Sequence, residues 1–389
     1  MDIKSARTEK LYYNDSHMSS FEASVISCEA QGDRFAVVLD RTAFFPEGGG
    51  QFADTGKLGD AAVTDVQVVD GDIVHYTDAF IEPGSVVKGE LDWEQRFRKM
   101  QNHSGEHIVC GLVHRMYGYD NVGFHLGTQD VTLDLNGELN REQIREIELL
   151  ANRVVAENVA ITAECLSEEQ LEGLEYRSKL ELTEDVRIVT IEGYDRCACC
   201  APHVARTGEI GMIKLLDFMR HKGGVRIHMQ CGLDALDDYN EKYDNVARIS
   251  ALLSAPQELT AEYVEKMLAD MQQYKQKIYE LNRQMIMLKL SGIERVEGNL
   301  CFFEQNLSND DLRAMVNGAA GKYGGICAAF SGSDDTGYSY VMGSRSVPLR
   351  SRAKEINTAL CGKGGGTDEM IQGSLKASRV QIEEFFKTC

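Results

Sequence analysis

The sequence predicts an α+β multidomain chain: a small N-terminal β-barrel, a mixed α/β domain, a helical coiled-coil arm and a C-terminal α/β domain. Three observations carry this reading. Short segments that alternate apolar and polar side chains fill residues 11–90. From Trp93 onward apolar residues recur at helical spacing, with strand-like segments between the helices. A heptad stripe then precedes a C-terminal third that has lost most of the acidity. The expected boundaries are 1–92, 93–234, 235–291 and 292–389. At 389 residues the chain exceeds what one compact core organises.

In chain order, period-two alternation predicts strands at 23–30, 35–44, 63–69, 73–78 and 86–93, separated by Gly, Asp and Asn turns. They form a small barrel-like or sandwich module. A helix is predicted from Trp93 to a stop at Gly118, and a second over 140–158. Segments 131–136 and 186–193 read as strands of a mixed sheet. Residues 211–232 read as a strand pair turning near Lys222-Gly223-Gly224. A helix over 235–253 breaks at Ala255-Pro256. Val264, Met271, Ile278 and Met285 then share one heptad position, and Met267, Tyr274, Leu281 and Leu288 the other. That stripe predicts either a coiled-coil arm or a helix packed on its own domain. Strands follow at 299–305, 323–332 and 338–344, and helices at 312–322, 351–363 and 377–389. A Gly-rich loop is predicted over 362–374.

The net charge of −20 argues against a generic polyanion binder. The acidity is uneven. Residues 1–235 carry 23 Lys+Arg against 40 Asp+Glu, and residues 236–389 carry 18 against 21. The run 169–185 reads as a solvated acidic surface. No apolar run reaches the roughly 18–20 residues of a membrane span. The start, MDIKSARTEK, lacks the apolar stretch of a signal peptide, so a cytoplasmic location is expected. Eleven cysteines in such a chain predict free thiols or metal ligands rather than disulfides.

His103-Ser-Gly-Glu-His107 is an H-x3-H pair, and on a helix residues i and i+4 share one face. Cys197-Ala-Cys199-Cys200-Ala-Pro-His203 follows nearly a hundred residues later. Together they supply imidazole and thiolate suited to one Zn2+ ion, with Cys197, Cys199 and Cys200 all within reach. Glu106 directly precedes the second His. The general-base geometry of the H-E-x-x-H metalloproteases is therefore not expected. After a predicted strand, Gly48-Gly49-Gly50-Gln51 allows close backbone approach, and Gln51 offers a donor and an acceptor.

These pieces together resemble the free-standing alanyl-tRNA editing proteins of the AlaX type, and the editing domain of alanyl-tRNA synthetase. The matching segments are TAFFPEGGGQFADTG (42–56), LDWEQRFRKMQNHSGEHI (91–108), GFHLGTQDVTLDL (123–135), CCAPHVARTGEIGMIKL (199–215) and KGGVRIHMQCG (222–232). Through GKGGGTDEMIQGS (362–374) the C-terminal domain resembles a DHHA1 module. The resemblance implies that 93–234 is a zinc-containing editing domain, with one Zn2+ held by His103, His107, Cys199 and His203. Where the family commonly reads Cys-Gly-Gly-Thr-His, this chain reads Cys199-Cys200-Ala201-Pro202-His203. Cys197 and Cys200 remain as spare thiols.

The implied activity is hydrolysis of Ser-tRNA(Ala), Gly-tRNA(Ala) or both, which corrects an error that binding to small side chains cannot prevent. Thr42 is expected to read the serine hydroxyl and Gln51 to contact the substrate or the attacking water. Gly48, Gly49, Gly50, Asp54 and Arg226 are further substrate candidates. Lys363, Gly364 and Gly365 are candidates for another part of the tRNA. Arg96, Arg98, Lys99, Arg206, Lys214, Arg220 and Lys222 are candidates for the acceptor-stem backbone. With a barrel starting near residue 11, no aminoacylation domain is expected ahead of it. The competing readings are a non-catalytic zinc-stabilised tRNA-binding protein and a zinc hydrolase of another small ester. A homodimer through the arm or the C-terminal domain is expected, and no membrane partner.

Overall fold

The computed structural model describes residues 8–127, 131–178 and 186–388. Parts of two segments singled out above, 128–130 and 179–185, lie outside the described residues, as does Cys389. The chain is α+β and divides into two compact units, Met1–Asn245 and Val246–Cys389.

After a two-residue strand at Glu9–Lys10 and a single helical turn at Leu11–Asn14, the first unit builds a barrel from six strands: β1 (Ser20–Gln31), β2 (Arg34–Leu39), β3 (Gly56–Leu58), β4 (Ala61–Val69), β5 (Asp72–Thr77) and β6 (Val86–Leu91). They close into a barrel in the order β1-β2-β5-β4-β3-β6. Alternation along β1 turns Phe21, Ala23 and Val25 into its core, and along β4 Ala61 and Val63, with a register shift between Val63 and Asp65 bringing Val66 in as well. The strand expected over 35–44 is interrupted at Asp40, whose N–H and carboxylate both bond Ser24. The chain resumes at Arg41–Thr42, paired in parallel with Glu9–Lys10. The three-residue β3 was not expected, because three residues show no period. It closes the barrel where Gly56 comes so near Glu90 that a Cβ would sit 2.1 Å from the Glu90 carbonyl oxygen.

Helix α1 (Trp93–Tyr117) starts at Asp92, which accepts the Gln95 N–H, and stops at Gly118 with φ 68°. From Met100 to Val113 every residue is buried. A helix sealed on all sides encloses its polar residues too, and that places His103, Ser104, Glu106 and His107 inside the protein. Strands β7 (Asn121–Leu126) and β8 (Val131–Leu135) and helix α2 (Arg141–Glu157) follow. Next come β9 (Ile161–Leu166), β10 (Val186–Ile191), β11 (Asp195–Ala198), β12 (Ile213–His221) and β13 (Gly224–Cys231). The β12–β13 hairpin turns at Lys222 and Gly223, with φ 46° and 84°, the primed geometry that Gly favours. The single mixed sheet expected here is instead two antiparallel ones. β8 belongs to the sheet β12-β13-β8-β7, whereas β10 lies between β9 and β11. The buried β10 needs a partner on each edge, and β9 and β11 are too polar or too short for a period to reveal them.

Helix α3 (Gly232–Leu253) carries the chain across the division between the units. In the second unit, α4 (Thr260–Ser291) is followed by β14 (Leu300–Glu304), α5 (Asn309–Gly318), β15 (Ile326–Ser333) and β16 (Gly337–Ser344). Then come α6 (Leu349–Ala359), β17 (Lys363–Gly366), β18 (Met370–Leu375) and α7 (Arg379–Thr388). The sheet order is β14-β15-β16-β18-β17. Alternate residues of β15 serve two cores: Ala328 and Phe330 pack with α6 and α7, Cys327 and Ala329 with α5 and the end of α4. The Gly-rich loop expected over 362–374 is therefore corrected to two paired strands. A run of glycines has no side-chain alternation to show its strand character. On α4, Ile286 and Leu290 pack on α5, while the heptad residues Met267, Tyr274, Ile278, Leu281 and Leu288 are exposed. Among the described residues, no helix is long and apolar enough to cross a membrane.

Candidate metal centre

Helix α1 presents His103 and His107 one turn apart, and the loop after β11 brings Cys199 and His203 to them. One ligand atom from each of the four lies within 4.8 Å of the others. The Cys199 sulfur is 3.5 Å from His103 Nε2 and 3.4 Å from His203 Nε2. Tetrahedral zinc, with Zn–N of about 2.0–2.1 Å and Zn–S of about 2.3 Å, sets nitrogen and sulfur roughly 3.5 Å apart. The spacing fits that ion.

The far side of each imidazole is held as well. His103 Nδ1 is 2.9 Å from Gln51 Oε1, His107 Nδ1 is 2.9 Å from Asp195 Oδ2, and His203 Nδ1 is 3.1 Å from Ser104 Oγ. With each Nδ1 proton donated outward, each Nε2 lone pair is left for an ion. Burial would push the Cys199 thiol up, but the surrounding histidines hold it well below the ordinary thiol range, as a ligating thiolate requires. Burial drives His203 down to about 3, which keeps that ring neutral.

Of the three cysteines that spacing left open, Cys199 joins this cluster. Cys197 instead lies near His107 and Asp195, and Cys200 is exposed beside Gly49. Both oxygens of the Asp195 carboxylate already accept bonds, Oδ1 from Arg177 at 2.7 Å and Oδ2 from Arg177 and His107 at 2.9 Å each, so this second grouping reads as a support for His107. Arg187 pins the Cys199 loop by donating to the carbonyls of Cys199 and Ala201 at 3.0 and 2.8 Å. None of residues 199–203 adopts positive φ, so the turn does not require the glycines that stand there in the family pattern.

Gly48 and Gln51 exchange backbone hydrogen bonds of 3.1 and 3.0 Å across Gly49 (φ 61°) and Gly50 (φ 84°). The turn seats against β7: Leu126 N–H donates to the Gly50 carbonyl, and a Cβ on Gly50 would lie 2.6 Å from the Phe124 oxygen. Gln51, 1% exposed, is thereby delivered to His103, with its Nε2 unpaired among the described residues.

The other residues singled out from sequence sit elsewhere. Thr42 is sealed in the barrel. His75 Nδ1 faces the Val37 carbonyl, and burial pushes this ring down to about 4, so Thr42 donates its hydroxyl proton to the bare His75 Nε2. Asp54 accepts from the Phe45 N–H and from Arg96, which also holds the Ala43 and Ser16 carbonyls. Arg96 is fully buried in this pairing and has no surface for a phosphate. Arg226 pairs with Asp134 through two bonds of 2.6 and 2.7 Å. Arg98, Lys214 and Arg220 meet carboxylates, while Arg206 and Lys99 meet carbonyls. Lys363, Gly364 and Gly365 lie on the exposed edge strand β17 of the second unit.

Three residues at the centre were not read from sequence: Ser104, Asp195 and Arg177. Ser104 lay inside the H-x3-H motif and Asp195 just ahead of the cysteines, while nothing local marks Arg177.

Residues 3–95 match the family model described as tRNA synthetases class II (A). Residues 186–249, which include Cys199 and His203, match the threonyl and alanyl tRNA synthetase second additional domain. The alanyl-tRNA editing protein AlaX-L of Pyrococcus horikoshii is 28% identical over 96% of both chains. The alanine–tRNA ligase of Pyrococcus abyssi is 32% identical over 96% of this chain, and that of Ignicoccus hospitalis 32% over 79%. This chain spans 42% and 36% of those two ligases.

Proposed function

From this kinship with an alanyl-tRNA editing protein and with part of the alanine–tRNA ligases, we propose that the chain is a trans-editing aminoacyl-tRNA deacylase. Its substrates are Ser-tRNA(Ala), Gly-tRNA(Ala) or both. The observation that carries the reading is Gln51: a glycine turn delivers a buried amide to a histidine of a four-residue metal cluster. A merely stabilising metal site does not call for that turn or for an unpaired Gln51 Nε2.

His103, His107, Cys199 and His203 would hold one Zn2+ per chain. When bound, the ion supplies Lewis-acid polarisation or anchoring of the substrate's ester end. Gln51 Nε2 donates to an oxygen of the bound aminoacyl ester, where charge develops as water attacks the carbonyl. The half-buried Gly48 and the exposed Gly49 and Gly50 admit the 3′ terminus close to the centre. Thr42, buried with its hydroxyl committed to His75 and to the Phe44 N–H, would act on the site only by holding the chain ahead of the glycine turn. Asp54 and Arg226 support the site through Arg96 and Asp134. Lys363 with Gly364 and Gly365 contacts a distant part of the tRNA. On this reading 1–92 is the barrel, 93–234 the editing domain, 235–291 a helical arm and 292–389 a DHHA1-like tRNA-binding domain. The exposed α4 stripe serves a homodimer, and the protein works in the cytoplasm.

The test is release of amino acid from Ser-tRNA(Ala) and Gly-tRNA(Ala), with Ala-tRNA(Ala) as control. Serine or glycine is expected to be freed and alanine retained. Failure to free either, or equal loss of alanine, overturns the proposal.

A further inference from the structure

The three imidazoles of the cluster are backed by three different chemistries. Behind His203 stands a neutral hydroxyl, Ser104 Oγ, which also accepts the Val204 N–H at 3.2 Å. Behind His103 stands a neutral amide, Gln51, on a turn between two exposed glycines and the exposed Phe52. Behind His107 stands a carboxylate, Asp195, with a guanidinium behind it.

That last pair is held on every side. Asp195 opens β11, the strand that leads into the Cys199 loop, so one segment supplies both a cluster residue and this support. Arg177 is registered against the same strand by its main chain. Its N–H donates to the Arg196 carbonyl at 2.8 Å, and its carbonyl accepts the Ala198 N–H at 2.9 Å. The guanidinium then meets Asp195 in a two-point fork, at 2.7 and 2.9 Å. The Asp195 side chain is 2% exposed and that of Arg177 13%. A charge-assisted bond to a rigid, buried carboxylate orients a ring more firmly than a bond to a neutral hydroxyl or amide.

We propose that Asp195, braced by Arg177, is the positioning residue that fixes the ring and tautomer of His107, so that the three histidines are held unequally and His107 is the anchoring ligand. This rests on the reading of the cluster as a zinc site. Gln51 and Ser104 are the weaker holds.

The experiment measures zinc dissociation constants of the full chain by competition with a chromophoric chelator, together with visible spectra of the Co2+-loaded protein. Asp195→Ala should weaken zinc binding about 10–100-fold and shift the cobalt bands. Ser104→Ala should cost less than about tenfold, with unchanged bands. Because Asp195→Ala could disturb folding, Arg177→Gln and Arg177→Lys are measured beside it. Gln should weaken binding, and Lys, keeping the charge but not the two-point fork, should recover part of it. Wild-type affinity and bands in Asp195→Ala, or equal losses in Asp195→Ala and Ser104→Ala, overturn this inference alone. A wild-type chain that binds no zinc overturns the metal reading beneath it.

Discussion

Two glycine runs, Gly48-Gly49-Gly50 and Gly364-Gly365-Gly366, share a composition but are used differently. In the first, Gly49 and Gly50 take φ of 61° and 84°, and the chain reverses within two residues. In the second, no glycine takes positive φ, and the backbone runs straight as the edge strand β17, paired with β18. The first run needs glycine for its dihedral angles and for the approach of Gly50 to Phe124. The second needs it for closeness alone, and not at every position. A Cβ on Gly364 would lie 2.5 Å from the Gln372 carbonyl oxygen, whereas one on Gly365 would meet nothing within 4 Å. A glycine run thus states that some of its backbone must be bare. It does not state whether the reason is a turn or a neighbour.

Substitutions can break or sharpen this contrast. The largest effect is expected at the centre that the first run serves. Cys199→Ala should lose stoichiometric zinc by elemental analysis and more than about 100-fold of deacylation rate, since it removes a ligand rather than a support. Retained activity without zinc would detach the turn from any metal. Next, Gly50→Ala combines a left-handed angle with a backbone collision and should cost roughly 2–4 kcal/mol by denaturant unfolding. Gly49→Ala shares only the angle, its Cβ meeting Cys200 Sγ at 3.7 Å, and should cost about 1 kcal/mol. Equal costs would show that Phe124 yields. In the second run Gly364→Ala should cost about 1–2 kcal/mol, its collision with Tyr340 being relieved by side-chain movement but that with Gln372 not. The smallest effect belongs to Gly365→Ala, which should stabilise the second unit by about 0.5 kcal/mol because Ala restricts the unfolded chain.

What could be read in advance followed from local periodicity. Helix α1 was legible from Trp93 to Gly118 because a polar cap and a terminal glycine bracket its apolar spacing. The β12–β13 hairpin was legible from Lys222-Gly223. The His103–His107 pair was legible because helical geometry alone brings i and i+4 together. Strand β3 was not, being three residues long and defined by the approach of Gly56 to Glu90. Nor was the burial of Arg96, since a surface arginine and one locked to Asp54 look the same in one dimension.

Local order along the chain is enough to mark the residue types suited to a zinc ion, the helical face that presents two of them, and the alternation that forms the barrel. Each of these is a property of neighbours along the chain. It takes long-range packing to bring Cys199 rather than Cys197 or Cys200 to the histidines, and to set Gln51, Ser104 and Asp195 behind them. Those choices join residues 51, 103, 177 and 195, and no local rule of spacing relates positions whose distance is set by how a barrel, a buried helix and two sheets pack.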